Sequence, residues 1–448
     1  MTRAPSKFKY GHTVRTPAIL VLSIACLLPL PAHALQPLAD FVAGGRARAA
    51  DVAEAAANRD ALDASADVAL GRVLPGVSAS GTYTRNQYDS QVTFPATGTA
   101  PAVTVTITPI DQLNGAIALN VPLVNLANFW RIKSARIAKD AADKSLEATY
   151  LSVESQVVQD YYQLVANVAL VAESQRALDV ARSSLTFTSA QKQAGRVAEL
   201  DVERARAEVE RNVQQVAAAE LQVTLSAQAL ESLTLVKPDL TTAATIDDDL
   251  HPEPPLEQFS PPPEQIPAVS AAVKNRESAA VAADAQRLAL VPTLQGSLTE
   301  SFTNTGGFSG HDASWQAILS LTWVFDYTSI ANIHLQDANV RVSAARETRA
   351  RLAAHDAIVR SFSTVASNIA RSRSARAQAL ATNHAAQLAD ERYRVGATTQ
   401  LELLQAQRDA FTADVSRIQA DADLVNARAQ LRLAAGQDPY AAEKPAAK

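Results

Sequence analysis

Cysteine, methionine and aromatic residues are scarce in this 448-residue chain, and two long stretches lack glycine and proline altogether. The only cysteine is Cys26, which excludes an intrachain disulfide and any metal site built on several cysteines. Aromatic residues make up 5% of the sequence. Together with abundant alanine, this scarcity favours long, thin helical packing over a thick globular core.

The N-terminus has the pattern of a secretory signal peptide, predicted over residues 1–34. A basic segment precedes an apolar run at 18–30, and Ala32-His33-Ala34 offers an A-x-A cleavage site. The run is too short for a transmembrane helix. Residues 23–26 also resemble a lipoprotein cleavage box, so lipidation of Cys26 is a second possibility. Losing four basic and no acidic residues would take the formal charge from −5 to −9, which argues against nucleic acid as a partner.

The stretches without glycine and proline belong to a long internal repeat. They cover 127–193 and 328–395 and end near Gly195 and Gly396, which lie 201 residues apart. A helix of this length would span roughly 100 Å and needs a partner along its course. Apolar residues after each glycine recur at coiled-coil spacing. We therefore predict two helical hairpins, 127–235 and 328–435, with tips near residues 195 and 396.

Each repeat also contains two segments with alternating apolar and polar residues. These segments predict strands at about 75–94 and 111–124, joined by a loop at 95–109, and at about 292–303 and 314–326. The last one carries Trp315, Trp323 and Phe325 on one face, near its two ends. Strands of a membrane barrel have this pattern, and so do half-buried strands of a soluble sheet. The local pattern does not separate the two.

A proline-rich segment divides the chain. Residues 237–267 contain eight of the 21 prolines, and Asp247, Asp248 and Asp249 form an acidic run that we interpret as a solvated turn. The predicted organisation is therefore a first repeat at 35–236, which opens with a helix at 38–71, then a linker at 237–267, a second repeat at 268–437 and a disordered tail at 438–448. Neither clustered histidines nor any common catalytic or phosphate-binding motif is present, so we expect no enzyme activity, cofactor or metal.

Four strands per chain limit what a membrane form could look like. An open sheet leaves unpaired backbone groups in lipid, and about eight strands are the practical minimum for closure. If the strands enter a membrane, several chains must share one barrel, and three chains would supply twelve strands. Their long helices would then form a tube continuous with that barrel.

Residues 392–407 carry a family resemblance. The segment Arg392-Tyr393-Arg394-Val395-Gly396 with Leu401-Glu402-Leu403-Leu404-Gln405-Ala406-Gln407 is similar to the R-Y-x-x-G and L-D-V-L-x-A-Q signature of the outer membrane efflux proteins, the TolC-like family. The closing pattern of that family is matched by Ala427, Leu431, Ala434 and Gly436. The first repeat has a looser version, Gly195 followed by Leu200-Asp201-Val202.

This resemblance implies a fold and an activity. The fold would be mainly α with a membrane β part: a homotrimeric, twelve-stranded outer-membrane barrel, four strands per chain, continuous with a long periplasmic α-helical coiled-coil barrel. Such proteins are passive exit ducts, embedded in outer-membrane lipid, that dock on a periplasmic adaptor and an inner-membrane transporter of RND or ABC type. Which transporter class applies, and hence drug efflux or type I secretion, stays open. A secreted trimeric coiled-coil protein without a pore is the alternative.

The resemblance also implies roles for individual residues. Glu402 would ring the narrowest point of the duct, with Gln405 where the family has a second acid, and Tyr393 would help to hold this aperture shut. Arg392 and Arg394 are candidate partners for Asp201 or Glu199. The tips, Gly195, Arg196 and Val197 with Gly396, Ala397 and Thr398, would dock the adaptor, and Trp315, Trp323 and Phe325 would lie at the membrane interfaces. Without the resemblance, Glu402 and the arginines would be ordinary charges on helix surfaces.

Overall fold

A computed structural model describes residues 35–98, 101–240, 246, 248–437 and 439. The predicted signal peptide, including Cys26, lies outside these residues, as does nearly all of the predicted tail. The first repeat consists of α1 Leu38–Arg48, α2 Ala50–Gly71, β1 Gly76–Arg85, β2 Ser90–Phe94, β3 Val103–Thr108, β4 Asp111–Val124, α3 Leu126–Gln193 and α4 Glu199–Thr234. The second consists of α5 Pro267–Leu288, β5 Thr293–Thr303, β6 Ala313–Thr322, α6 Tyr327–Arg394 and α7 Gln400–Ala434.

Two 68-residue helices, α3 and α6, determine the length of the molecule. Both helices have an N-terminal side-chain cap: Asn125 accepts a hydrogen bond from the Asn128 N–H, and Asp326 accepts one from the Ser329 N–H. Both long helices pack against several shorter ones, α3 chiefly against α2, α4, α5 and α7, and α6 against α5 and α7. These partners supply the side support that such long helices need.

Four strands form one antiparallel sheet in the order β1-β4-β5-β6. The register places Val77 opposite Leu119, Leu119 opposite Leu298, and Leu298 opposite Ala317. Since side chains alternate along a strand, one face of the sheet is apolar across all four strands. The other face carries mainly hydroxyl, amide and small side chains, although Ile318 and Pro122 also lie on it. Three charged residues lie on the apolar face within the described paired segments: Arg85 and Asp111, which face each other at one end of the β1–β4 pair, and Glu300, opposite Trp315.

The strand boundaries differ from prediction in three places. Residues 75–94 are not one strand, because β1 ends at Arg85 and β2 begins at Ser90. The expected loop at 95–109 contains β3, which pairs with β2 as a separate hairpin. A backbone partner is what turns this Thr-rich segment into a strand, and composition alone does not reveal it. Finally, β6 ends at Thr322, so Trp323 and Phe325 follow the strand instead of lying within it.

The predicted N-terminal helix at 38–71 is also interrupted, by the extended residue Ala49 between α1 and α2. The short helix α1 then packs against α3 and α4. Phe41 is completely buried there and lies 5.8 Å from the ring of Tyr161. The main apolar core therefore sits part-way along the hairpins, where α1, α3, α4 and α7 meet.

Among the helices that the structure describes, none has an apolar stretch long enough to cross a lipid bilayer.

Candidate functional site at the hairpin tips

The two hairpin tips have the same turn geometry. Gly195 and Gly396 have φ values of 70° and 77°, a region that side chains disfavour. In each turn the glycine N–H bonds back to the carbonyl three residues earlier, and the next N–H, from Arg196 or Ala397, bonds back five residues. This is a Schellman motif, which satisfies the last carbonyls of the incoming helix. It leaves the tip residues largely exposed, with Val197 and Thr398 half-buried.

Glu402 lies in the first turn of α7, where it completes a capping box with Thr399. The Thr399 hydroxyl accepts a bond from the Glu402 N–H, and the Glu402 carboxylate accepts one from the Thr399 N–H. The Thr398 hydroxyl also donates to this carboxylate. That bond, the Thr399 N–H and the nearby charge of Arg392 lower the pKa of Glu402 from its ordinary value. Glu402 is exposed, as is Gln405 one turn later.

Tyr393 is the buried residue among the predicted aperture residues. Its side chain is 8% exposed, and its hydroxyl lies 3.2 Å from the hydroxyl of Thr188 on α3. The ring also meets Phe187 edge to face at 5.9 Å. Tyr393 thus joins the end of α6 to the other hairpin within one chain.

The predicted ion pairs of Arg392 and Arg394 with Asp201 or Glu199 are not formed in the described structure. Glu199 pairs with Lys192 across its own turn, and Asp201 lies 3.4 Å from Arg204, three residues along the same helix. Arg394 pairs with Asp390 at 2.8 Å and places its guanidinium 6.0 Å from the Phe187 ring. Partners within the same hairpin are closer, so they replace the expected links between hairpins.

The charged link between the hairpins lies farther from the tips. Glu208 on α4 is 4% exposed and accepts two bonds from Arg408 on α7, at 2.6 and 3.0 Å. Arg211 contacts the same carboxylate from within α4. A buried carboxylate needs such partners. Nothing in the sequence indicates this pair, since its members are 200 residues apart and each resembles an ordinary helix-surface charge.

A second buried charge cluster fixes the proline-rich linker to α7. Arg428 is 1% exposed, and its guanidinium lies 2.9 Å from Asp248 and also contacts Glu253. It further donates to the His251 carbonyl at 2.7 Å. The interpretation of the acidic run as a solvated turn is therefore wrong for Asp248, because that carboxylate is the buried counter-ion of Arg428. Asp249 is exposed as expected.

Of the aromatic residues expected at membrane interfaces, Trp315 lies near the start of β6, and Trp323 and Phe325 follow its end. Trp315, Trp323 and Phe325 are each about 70% exposed in the single chain. The indole N–H of Trp323 donates to the Leu290 carbonyl at 3.0 Å, so its polar atom is satisfied while its ring stays free. Trp315 lies on the apolar face of the sheet, opposite Glu300.

The profile of the family described as outer membrane efflux protein matches residues 45–234 and 264–437, which include both hairpins and all four strands of the sheet. The chain belongs to this family. Members of this family are efflux proteins of the outer membrane. Because the match includes the strands, it overturns the alternative of a secreted coiled-coil protein without a pore.

Individual relatives agree with this assignment. The chain is 28% identical over 330 residues to outer membrane protein OprJ of Pseudomonas aeruginosa, an alignment that covers 67% of this chain and 66% of that relative, just under two thirds of its length. Its fold is similar to the CmeC outer membrane channel of Campylobacter jejuni, with a TM-score of 0.75, 18% identity, and coverage of 90% and 86% of the two chains. Its fold is also similar to that of VceC of Vibrio cholerae, with a TM-score of 0.72, 14% identity, and coverage of 90% of this chain and 96% of that one.

Proposed function

We propose that three copies of this efflux protein form one outer-membrane duct. The sheet has four strands, and its edge strands β1 and β6 have unpaired outer sides within the described chain. Such edges cannot stay open in lipid, and four strands are too few to close. Joining β6 of one copy to β1 of the next closes a barrel of twelve strands. The continuous apolar face supports this arrangement, because it provides the lipid-facing surface.

The helices support the same oligomer. Large apolar side chains are exposed along them in the single chain, including Leu352 at 60% and Leu380 at 76% on α6, and Leu221 and Leu225 at 54% on α4. Neighbouring copies would cover these side chains and build a helical tube on the barrel. A tube that continues into a barrel is a passive conduit, and the chain itself would do no chemistry.

The partners that suit such a duct are a periplasmic adaptor and an inner-membrane transporter of RND or ABC type. The exposed tips at Arg196 and Ala397 would receive the adaptor. A groove of about 780 Å³ lies between the hairpins and reaches Tyr393 and Arg394 next to the second tip, and charges of both signs line it, among them Asp390 and Arg408. The proposal includes removal of residues 1–34 on secretion. It covers two kinds of transport, drug efflux and type I secretion.

We expect Glu402→Gln to alter the ion selectivity of the duct with little effect on its fold. Glutamine also serves in a capping box, so the turn at Thr399 should survive while three carboxylates are lost from the trimer. Single-channel recording of the purified, detergent-extracted protein in a planar bilayer checks this. The wild type should favour cations, and the variant should lose much of that preference.

The pH dependence follows from the lowered pKa of Glu402. The pKa of Glu402 in the folded protein is lower than that of a free glutamate, which is about 4.3. The carboxylate therefore stays mostly charged at about pH 4.3 and becomes protonated only at lower pH. Cation preference should follow the same course. Ser416→Ala, an exposed change farther along α7, is the control. If the Glu402→Gln channel has the same ion selectivity as the wild type, Glu402 does not line the aperture, and the proposal of a duct is unaffected.

A further inference from the structure

A buried glutamine beside Tyr393 has one end of its amide without a partner. Gln400 is the first residue of α7 and is 3% exposed. Its carbonyl oxygen accepts a hydrogen bond from the Thr188 hydroxyl at 3.3 Å. Its amide nitrogen is fully buried and has no hydrogen-bond partner among the residues that the structure describes. Reversing the amide would leave the oxygen unpaired instead, so one polar atom is unsatisfied in either orientation.

Three side chains from three helices share this contact. Thr188 of α3 is completely buried and lies within hydrogen-bond distance of both the Tyr393 hydroxyl and the Gln400 amide. A threonine hydroxyl has one hydrogen to donate. With that hydrogen on Gln400, the tyrosine must donate to Thr188, and the chain of hydrogen bonds ends at the glutamine. We call Thr188, Tyr393 and Gln400 the tip latch.

We infer that Gln400 weakens the tip latch and thereby keeps the tip of the second repeat able to separate from α3. An unpaired buried amide group is destabilising, and here the cost applies only while α7 stays packed on α3. When the tip moves outward, the amide reaches water and is satisfied. A neighbouring copy cannot remove this cost, because the side chain is already enclosed by its own chain. The inference rests on the proposed duct and adds a residue that sets its opening.

Two variants test this role because they should act in opposite directions. Gln400→Leu keeps most of the volume and removes the unpaired amide, so the closed tip gains stability. Thr188→Val keeps the shape and removes the hydroxyl, which leaves Tyr393 and Gln400 without their shared partner. In planar-bilayer recordings, we expect Gln400→Leu to reduce the open probability about five-fold, and Thr188→Val to raise it by a similar factor.

Thermal unfolding of the same detergent-extracted samples separates this role from simple packing. Gln400→Leu should melt at or above the wild-type temperature, and Thr188→Val below it. Changes of open probability in the same direction for both variants, no change with Gln400→Leu, or a Gln400→Leu protein that melts lower or fails to fold would each overturn the inference. A wild-type protein without channels would instead contradict the proposed duct.

Discussion

Leu319→Arg is expected to prevent most of the protein from assembling in the outer membrane. Leu319 is 68% exposed on β6 and lies midway in sequence between Trp315 and Trp323. If these rings mark the two membrane interfaces, residue 319 lies near the middle of the hydrocarbon. An arginine on the lipid face at that depth costs about 2–4 kcal/mol, and a trimer would carry three. The amount of heat-modifiable oligomer in outer-membrane fractions checks this.

The neighbouring residue provides a matched control. Ser320 is also exposed on β6 but points to the opposite, polar face of the sheet. Ser320→Arg introduces the same side chain one residue away, where it would face the water-filled lumen, and we expect near-normal assembly with altered ion selectivity. Equal assembly of the two variants would contradict the lipid exposure of the apolar face. Loss of assembly with Ser320→Arg alone would show that the polar face, and not the apolar one, faces the lipid.

Arg428→Met is expected to destabilise the chain by about 3–5 kcal/mol, because it leaves the buried Asp248 carboxylate without its counter-ion and Glu253 with only the more distant Arg432. The carboxylates of Asp248 and Glu253 are 8% and 5% exposed, respectively. Denaturant or thermal unfolding of the detergent-extracted protein measures the effect. We also expect the linker around Asp248 to become sensitive to proteolysis.

Two further variants identify the cause. Arg204→Met removes an exposed pair with Asp201 and should change stability by less than about 0.5 kcal/mol. Adding Asp248→Asn to Arg428→Met should recover much of the loss, because Asp248 then carries no unpaired charge, while Glu253 keeps Arg432 at 3.8 Å. A stable Arg428→Met protein would show that the linker does not depend on this cluster.

Local sequence features predict the long elements well. The lack of glycine and proline at 127–193 and 328–395 indicates the helices α3 and α6, and the alternating residues indicate the four strands of the sheet. The capping role of Glu402 could also have been predicted, since Thr399-Gln400-Leu401-Glu402 is a capping-box pattern. These features depend on neighbours within a few residues.

The remaining contacts depend on residues far apart in the chain. Arg428 meets Asp248 across 180 residues, and Gln400 meets Thr188 across 212. An isolated arginine or glutamine on a helix normally lies at the surface, so its local pattern does not reveal burial. The pairing of β2 with β3 could not be predicted, because the Thr-rich sequence of β3 also fits a loop.

The mass of the intact detergent-extracted complex tests the central claim most directly. Four strands per chain and a continuous apolar face require several copies to close one barrel, and the account predicts three. Native mass spectrometry should therefore give three times the mass of the processed chain, in a complex that needs detergent to stay soluble. A monomer, or a trimer that is soluble without detergent, would contradict the shared barrel and with it the duct.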